Sequence, residues 1–431
     1  MELIALLDGT RYYANCATIL NPELKGKAIA VTTNATRGII IAANRDATDT
    51  LRVSKFRPIF EYKQEVESGH LTVVDANFNL FGYHSLAFHS VIKENFYDTY
   101  SYSVDEVYAK MLANSKEDAL GHLKFVRRDV LKKTRVPIGC GASTTCTLAK
   151  IASHAAKKLG YKGVCVLVDE TETNAVLRQI DVGDIWGVGA ATAPKLRALG
   201  VRTAYDLKLC ISDIKKFQKK FGRPLVATIA ELNGQRQLHW HPQGNEYHKQ
   251  QINSTRSITA RLHNKTELHK ALAYHAHQVA HSARKQKSKI KQIHFFCRTS
   301  PFDDMDKQHS RTASFRLDYP TADTTVILKM LSKCIDSMCP PDDGNGRFTK
   351  AIYKIGVGAS ELTNGEWQQA DLFAPAENDS LMNTLDQLNN RFGKNSVYLG
   401  VKGHDFIGER LPSTTLPNRH SSWKDVPVIA C

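Results

Sequence analysis

Short apolar runs bounded by turn residues alternate along this chain with longer stretches of helical spacing. ELIALLD (2–8) is a continuous apolar run that ends on an acid, the pattern of a short buried strand. Gly9 and Thr10 then read as a turn and a candidate N-cap for a helix over YYANCATIL (12–20). AIAVTT (28–33), GIIIAAN (38–44) and LTVVD (71–75) are β-rich, while FHSVIKENFYDTY (88–100) has helical spacing. EDALGHLKFVRRDVLKKT (117–134) is a basic amphipathic helix, VPIGCGAS (136–143) is strand-like, and TTCTLAKIASHAAKKLG (144–160) is an alanine-rich helix with a basic end. GVCVLV (163–168) closes this first region.

A second region, from near residue 168, contains DIWGVGAATAPKLRALGVRTAYDL (184–207), which reads as helix, Gly-x-Gly turn, helix, glycine, short helix. Gly187 and Gly189 leave backbone amides uncovered at a helix start, where a DNA phosphate can be gripped without reading sequence. A third region, about 250–357, pairs strands (290–299, 350–359) with long helices (265–285, 324–338), and CPPDDGNGR (339–347) breaks the chain. From about 360 the sequence is more polar, without sustained periodicity, and reads as a partner-binding tail.

Composition narrows the class. Lys and Arg number 58 against 43 Asp and Glu in 431 residues, a formal charge of +15. Clusters such as FQKKFGRP (217–224) and ARKQKSKIK (283–291) spread this charge along the chain, as a polyanion-binding protein requires. Nine cysteines with no CxxC pair read as reduced core thiols of a cytoplasmic protein. No run of about 18 apolar residues argues for a membrane helix, and MELIALLD lacks the basic start of a signal peptide.

YSVDEVY (102–108) sets Asp105 and Glu106 into a β-rich run. Either this is an acidic surface turn, or the pair holds a cation with a third ligand from elsewhere. Asp8, at the end of its own strand, is the candidate third ligand. Three hard oxygen donors without nearby His or Cys suit Mg²⁺, and two such ions support in-line phosphoryl displacement. A basic protein with such a site and a DNA-gripping turn is a nucleotidyl transferase or a nuclease.

ALLDGTRYYANCATILNPELKGKAIAV, YSVDEVY, TTCTLAKIASHAAKKLGYKGV and DIWGVG, together with NFNLFGYHS, TRSI and RTSPF, resemble the Y-family translesion DNA polymerases, and among them UmuC-like members. The resemblance runs from Met1 to about Lys402. It implies an α+β right hand: palm (1–25 and 75–167), fingers (26–74), helix-hairpin-helix thumb (168–245), little finger (246–358) and a C-terminal partner-binding region (359–431). It also implies that Asp8, Asp105 and Glu106, with the Gly9 carbonyl, hold two Mg²⁺ ions. Tyr13 falls at the steric gate against the 2′-hydroxyl, and Lys157 at the lysine that neutralises the triphosphate.

Departures from the family pattern lie in the fingers. Thr48 stands where a Lys or Arg is usual, with Arg45 one turn earlier as the candidate substitute. DTLRVSKFRPIF (49–60) lacks the usual glycine-containing run, and Cys146 replaces a frequent lysine. The implied function is error-prone, template-directed dNTP addition in the DNA-damage (SOS) response. The alternatives are a catalytically weakened DNA-binding subunit that recruits partners, and a two-metal nuclease or cyclase. The implied partners are primer-template DNA, dNTP, a processed UmuD-type dimer and the RecA filament. Gln369, Leu372 and Phe373 of QADLF (369–373) resemble a peptide that docks in the sliding-clamp groove.

Overall fold

A computed structural model describes residues 1–33, 38–238, 249–304, 308–365, 378–393 and 396–400. The chain forms two compact units, Met1–Asn245 and Glu246–Leu411. The first begins β1 (Glu2–Gly9), α1 (Tyr12–Leu20), β2 (Ala28–Thr32), β3 (Ile40–Ala43), α2 (Arg45–Asp49), α3 (Lys63–Glu67) and β4 (Leu71–Asp75). It continues with α4 (Phe78–Lys93), β5 (Asp98–Ser101), β6 (Glu106–Leu112), α5 (Lys116–Thr134), β7 (Ile138–Ser143), α6 (Cys146–Lys158) and β8 (Val164–Leu167). Helices α7 (Glu170–Leu177), α8 (Ala193–Arg197), α9 (Ala204–Leu209), α10 (Ile214–Phe221) and α11 (Arg223–Leu232) complete it.

The apolar run Leu3–Leu7 is buried on both faces because β1 lies at the centre of a five-stranded sheet, ordered β5-β6-β1-β7-β8. Both neighbours of β1 run antiparallel to it. Helix α5 is capped by the Ser115 hydroxyl, with Glu117 and Asp118 in its first turn and Lys132 and Lys133 in its last, both matched to the helix dipole. Helix α6 packs directly on β7. A Cβ at Gly141 would stand 1.9 Å from the Ser153 backbone nitrogen, so only glycine allows that approach. Strands β3-β2-β4 form a separate small sheet with its own core, including Ile40, Val53, Ile59 and Leu71.

Helices α7–α11 share a core with α6 through Ile151, Leu177, Leu196 and Ile229. Glu231, 1% exposed on α11, ties this helical layer to α6. Its carboxylate accepts hydrogen bonds from the Thr147 amide (2.8 Å) and hydroxyl (2.7 Å), and from the amides of Gln237 (3.1 Å) and Leu238 (3.0 Å). A buried carboxylate is tolerated there because its lone pairs are satisfied.

The second unit comprises β9 (Ile252–Asn264), α12 (Lys265–Lys285), β10 (Ser288–Arg298), β11 (Ser310–Thr321), α13 (Thr324–Met338), β12 (Arg347–Asn364) and α14 (Asp379–Phe392). Its antiparallel sheet, ordered β11-β10-β12-β9, packs against α12 and α13 around Leu272, Phe295, Leu331 and Ile355.

Four local expectations change. Thr10 does not cap α1; the N-cap is Arg11, left-handed at φ 47° and ψ 43°, with no side-chain cap. The helix expected over 88–100 starts earlier, at Phe78, and ends at Lys93, with Asp98–Ser101 in the sheet. The segment before the Gly-x-Gly turn forms only a short 3₁₀ turn, Val182–Asp184. Beyond 358 the chain is not uniformly irregular: β12 continues to Asn364, and α14 is seated by Met382 and Leu385 and by Asp386, which pairs with Arg284 (2.7 Å) and His281 (2.9 Å).

Candidate active site

The carboxylates are placed by the sheet. Asp8 lies opposite Glu106 in the β1–β6 register. Asp105 sits in the turn just before β6, and its carbonyl accepts the Gly9 amide at 2.7 Å. Gly9 permits this approach, since a Cβ there would stand 3.0 Å from the Tyr12 ring and 3.4 Å from the Asp105 Cβ. The acidic pair is therefore not a remote surface turn. All three carboxylates line one cleft of about 730 Å³, within the range of ligand-binding pockets.

Helix α6 delivers cations to the same cleft. The Lys157 ammonium pairs with Asp8, and its stem crosses β7 at Gly139, where a Cβ would meet Lys157 Cγ at 2.7 Å. Lys150 Nζ lies 2.7 Å from Glu106 Oε1, 5.0 Å from the Tyr102 ring centroid and 5.7 Å from that of Trp186. The Trp186 indole N–H donates to the Tyr102 hydroxyl at 3.0 Å, so the two rings hold each other around the ammonium. Asp105 accepts the Ser103 hydroxyl at 2.7 Å. Burial pushes the Glu106 carboxyl up; Lys150 opposes this, while Asp8 and Asp105 add to it.

A divalent cation fits this donor chemistry after one change. With Asp8 and Glu106 turned to lysines, no three acidic, His or Cys side chains among the described residues stand close enough to hold an ion. The donors are nevertheless all hard oxygens, and the mutual repulsion of Glu106 with Asp8 and Asp105 is what a bound cation relieves. The two lysines occupy that charge role in this arrangement.

One wall of the cleft is aromatic. Tyr12 is buried and its hydroxyl donates to the Phe81 carbonyl at 2.8 Å. Tyr13, half-buried, packs against Phe81 and Phe78 with centroid separations of 5.0 and 6.0 Å. Both tyrosines line the cleft. The phenol of Tyr12 is thus committed to α4, leaving Tyr13 as the better gate candidate.

The rim formed by β3 and α2 departs from expectation. Arg45 does not line the cleft; its side chain is 84% exposed and its Nε lies 3.0 Å from Asp49 Oδ2. Thr48, Lys55 and Arg11 do line it, with His154 and Lys158 from α6. Sequence reasoning did not single out Lys150, Lys158, Arg11 or Lys55. The seven-residue spacing of Lys150 and Lys157, two turns of one helix face, was the available signal.

Gly187 adopts φ +89° in its turn, and a Cβ there would approach the Thr228 hydroxyl to 3.0 Å; Gly189 has open space around it. Gln369, Leu372 and Phe373 lie outside the described residues. No helix among the described residues is long and apolar enough to cross a membrane.

A palm-like sheet bearing carboxylates, a smaller sheet beside it, a glycine-turn helical layer and a second α+β unit define the Y-family polymerase fold. A Y-family DNA polymerase chimera shares it with a TM-score of 0.65 at 18% identity, covering 84% of this chain and 99% of that one. The Dbh DNA polymerase insertion ternary complex gives a TM-score of 0.53 at 18% identity, covering 83% and 98%. The impB/mucB/samB family model matches residues 7–154, its C-terminal domain matches 249–372, and the HHH motif of the IMS family matches 170–201. UmuC of Salmonella typhimurium strain LT2 is 31% identical over 93% of this chain and 94% of its own. MucB of Salmonella typhimurium is 28% identical over 99% of both chains. The chain belongs to the impB/mucB/samB family, the UmuC-like branch of the Y-family DNA polymerases.

Proposed function

We propose that this chain is an error-prone translesion DNA polymerase of the DNA-damage (SOS) response, adding dNTPs to a primer by two-metal phosphoryl transfer. The observation that carries the reading is the lining of one cleft by Asp8, Asp105 and Glu106 together with the Tyr13 ring. Two Mg²⁺ ions held by these carboxylates and the Gly9 carbonyl would supply Lewis acidity and charge neutralisation at the reacting phosphate. Lys157, once free of Asp8, is the cation for the triphosphate. Tyr13 excludes a 2′-hydroxyl by its bulk, and Gly187 and Gly189 offer amides to the DNA backbone. The surplus of basic residues supplies affinity for primer-template without sequence preference.

The wider setting follows from the same reading: a cytoplasmic enzyme tethered to a sliding clamp through Gln369, Leu372 and Phe373, and working with a UmuD-type dimer and the RecA filament. One observation favours the second reading, a weakened, partner-recruiting DNA-binding subunit: Arg45 is turned to Asp49 and Thr48 brings no charge to the rim. A primer-extension assay with Mg²⁺ and each dNTP decides between them. Template-matched extension supports the polymerase; tight primer-template binding without extension supports the subunit.

A further inference from the structure

We propose that Arg11 is a phosphate ligand for the incoming nucleotide, a cation delivered to the β3–α2 rim from the start of α1. This rests on the nucleotide-transfer reading above. Among the cleft cations, Lys150 and Lys157 each face a carboxylate. Arg11 is held differently. Its hydrogen bonds leave from Nη1 to neutral acceptors, the Thr48 hydroxyl at 2.5 Å and the Ala43 carbonyl at 3.4 Å. Asp49 stands 3.9 Å from Nη2, beyond hydrogen-bond distance, and is itself engaged by Arg45 Nε at 3.0 Å. The guanidinium is thus held chiefly by neutral acceptors, and its one ion pair, to Asp49, is long and shared with Arg45.

Its remaining N–H groups, on Nε and Nη2, make no hydrogen bond to the described residues. Two such donors in one plane form the fork that phosphate oxygens accept in pairs. The side chain is 32% exposed and lines the cleft that also holds the three carboxylates and Tyr13. Lys55, on the same rim, adds a second positive charge. The backbone supports the assignment. Arg11 occupies the left-handed region at φ 47° and ψ 43°, a conformation uncommon for a side chain of this size, and the neighbouring structure holds it there. From that turn the side chain spans to α2, and a phosphate bound at its free edge would couple α2 to the nucleotide.

The test uses the full chain with three substitutions: Arg11→Ala, Arg11→Lys and Thr48→Val. The readouts are KM for dNTP in single-nucleotide insertion, binding of inorganic tripolyphosphate, primer-template affinity and melting temperature. Losing charge-assisted hydrogen bonds should raise the dNTP KM of Arg11→Ala by about 10- to 100-fold and weaken tripolyphosphate binding in parallel. Primer-template affinity should stay within about twofold, because other basic residues supply it. Arg11→Lys, which keeps charge without the fork, should fall between. Thr48→Val removes the main tie between Arg11 and α2 but keeps the guanidinium, so its KM should rise far less. Equal effects of Thr48→Val and Arg11→Ala, or an unchanged KM and unchanged tripolyphosphate binding in Arg11→Ala, overturn the proposal. A wild-type chain that never extends a primer overturns the polymerase reading instead, and the tripolyphosphate arm still decides the role of Arg11.

Discussion

Lys150 Nζ lies 2.7 Å from Glu106 Oε1, inside a corner made by the rings of Tyr102 and Trp186. These residues come from α6, β6, the turn before it and the loop after α7, so one ammonium joins the five-stranded sheet to the helical layer. Lys150 offsets part of the repulsion that Glu106 meets from Asp8 and Asp105.

Lys150→Ala should therefore make the protein more dependent on divalent cation. Without Mg²⁺ the variant should melt below wild type, because a half-buried Glu106 has lost its partner. Added Mg²⁺ should then raise its melting temperature by more than it raises that of wild type, by linkage of binding to folding. Equal Mg²⁺ shifts in the two proteins would mean that Lys150 and the cation do not share Glu106.

Gly141→Ala should be among the most damaging single-atom additions to the first unit. The new Cβ would lie 1.9 Å from Ser153 N and 2.5 Å from Ala152 C, both backbone atoms that cannot rotate away. Helix α6 must move off β7, taking Lys150 and Lys157 with it. A loss of about 3 kcal/mol or more in urea unfolding is expected, at the upper end of overpacking costs. A wild-type unfolding midpoint would show that α6 sits farther from the sheet than described.

Much of this arrangement is legible along the chain. The run Leu3–Leu7 ending on Asp8, the acidic pair opening β6 and the long helices of the second unit follow from apolar period and turn residues. What escapes is set by tertiary contact. Helix α14 buries only Met382 and Leu385 and is fixed by Asp386 against Arg284 and His281, which no periodicity reveals. Arg45, the expected cation, is held outside the cleft by Asp49, and Arg11, which the sequence did not single out, lines it from a left-handed turn. Such a choice depends on neighbours distant in sequence, and propensity carries no trace of it.

Tyr13→Ala should relax sugar discrimination. The ring stands on Phe78 and Phe81, so its removal opens space in the cleft, while the Tyr12 hydroxyl keeps its bond to the Phe81 carbonyl. The ratio of ribonucleotide to deoxyribonucleotide insertion should rise by at least about tenfold, the effect of about 1.4 kcal/mol of lost discrimination. Unchanged discrimination would assign the gate to another residue.

His89, 8% exposed on α4, should make the first unit acid-sensitive. Burial, reinforced by Lys93, lowers its imidazole from 6.5 to about 4. The unfolded chain therefore takes up a proton that the folded chain refuses between those values. The stabilisation is fully present above pH 6.5 and is lost as pH falls towards 4, by roughly 3 kcal/mol for a shift of this size. Urea unfolding of wild type and His89→Gln across this window checks it: the pH slope should flatten in the variant, and identical slopes would remove His89 as the cause.

The central claim is that Asp8, Asp105 and Glu106 form the chemical centre of a DNA-directed DNA polymerase, and Asp105→Asn tests it most directly. This near-isosteric change removes one charge and leaves the Gly9–Asp105 backbone bond in place. Single-turnover incorporation of a matched dNTP with Mg²⁺ should fall by about 10³-fold or more, as expected for removing a group that acts on the transition state. Primer-template affinity should remain near wild type, since basic residues elsewhere provide it. Incorporation by Asp105→Asn at a rate close to wild type would contradict the account.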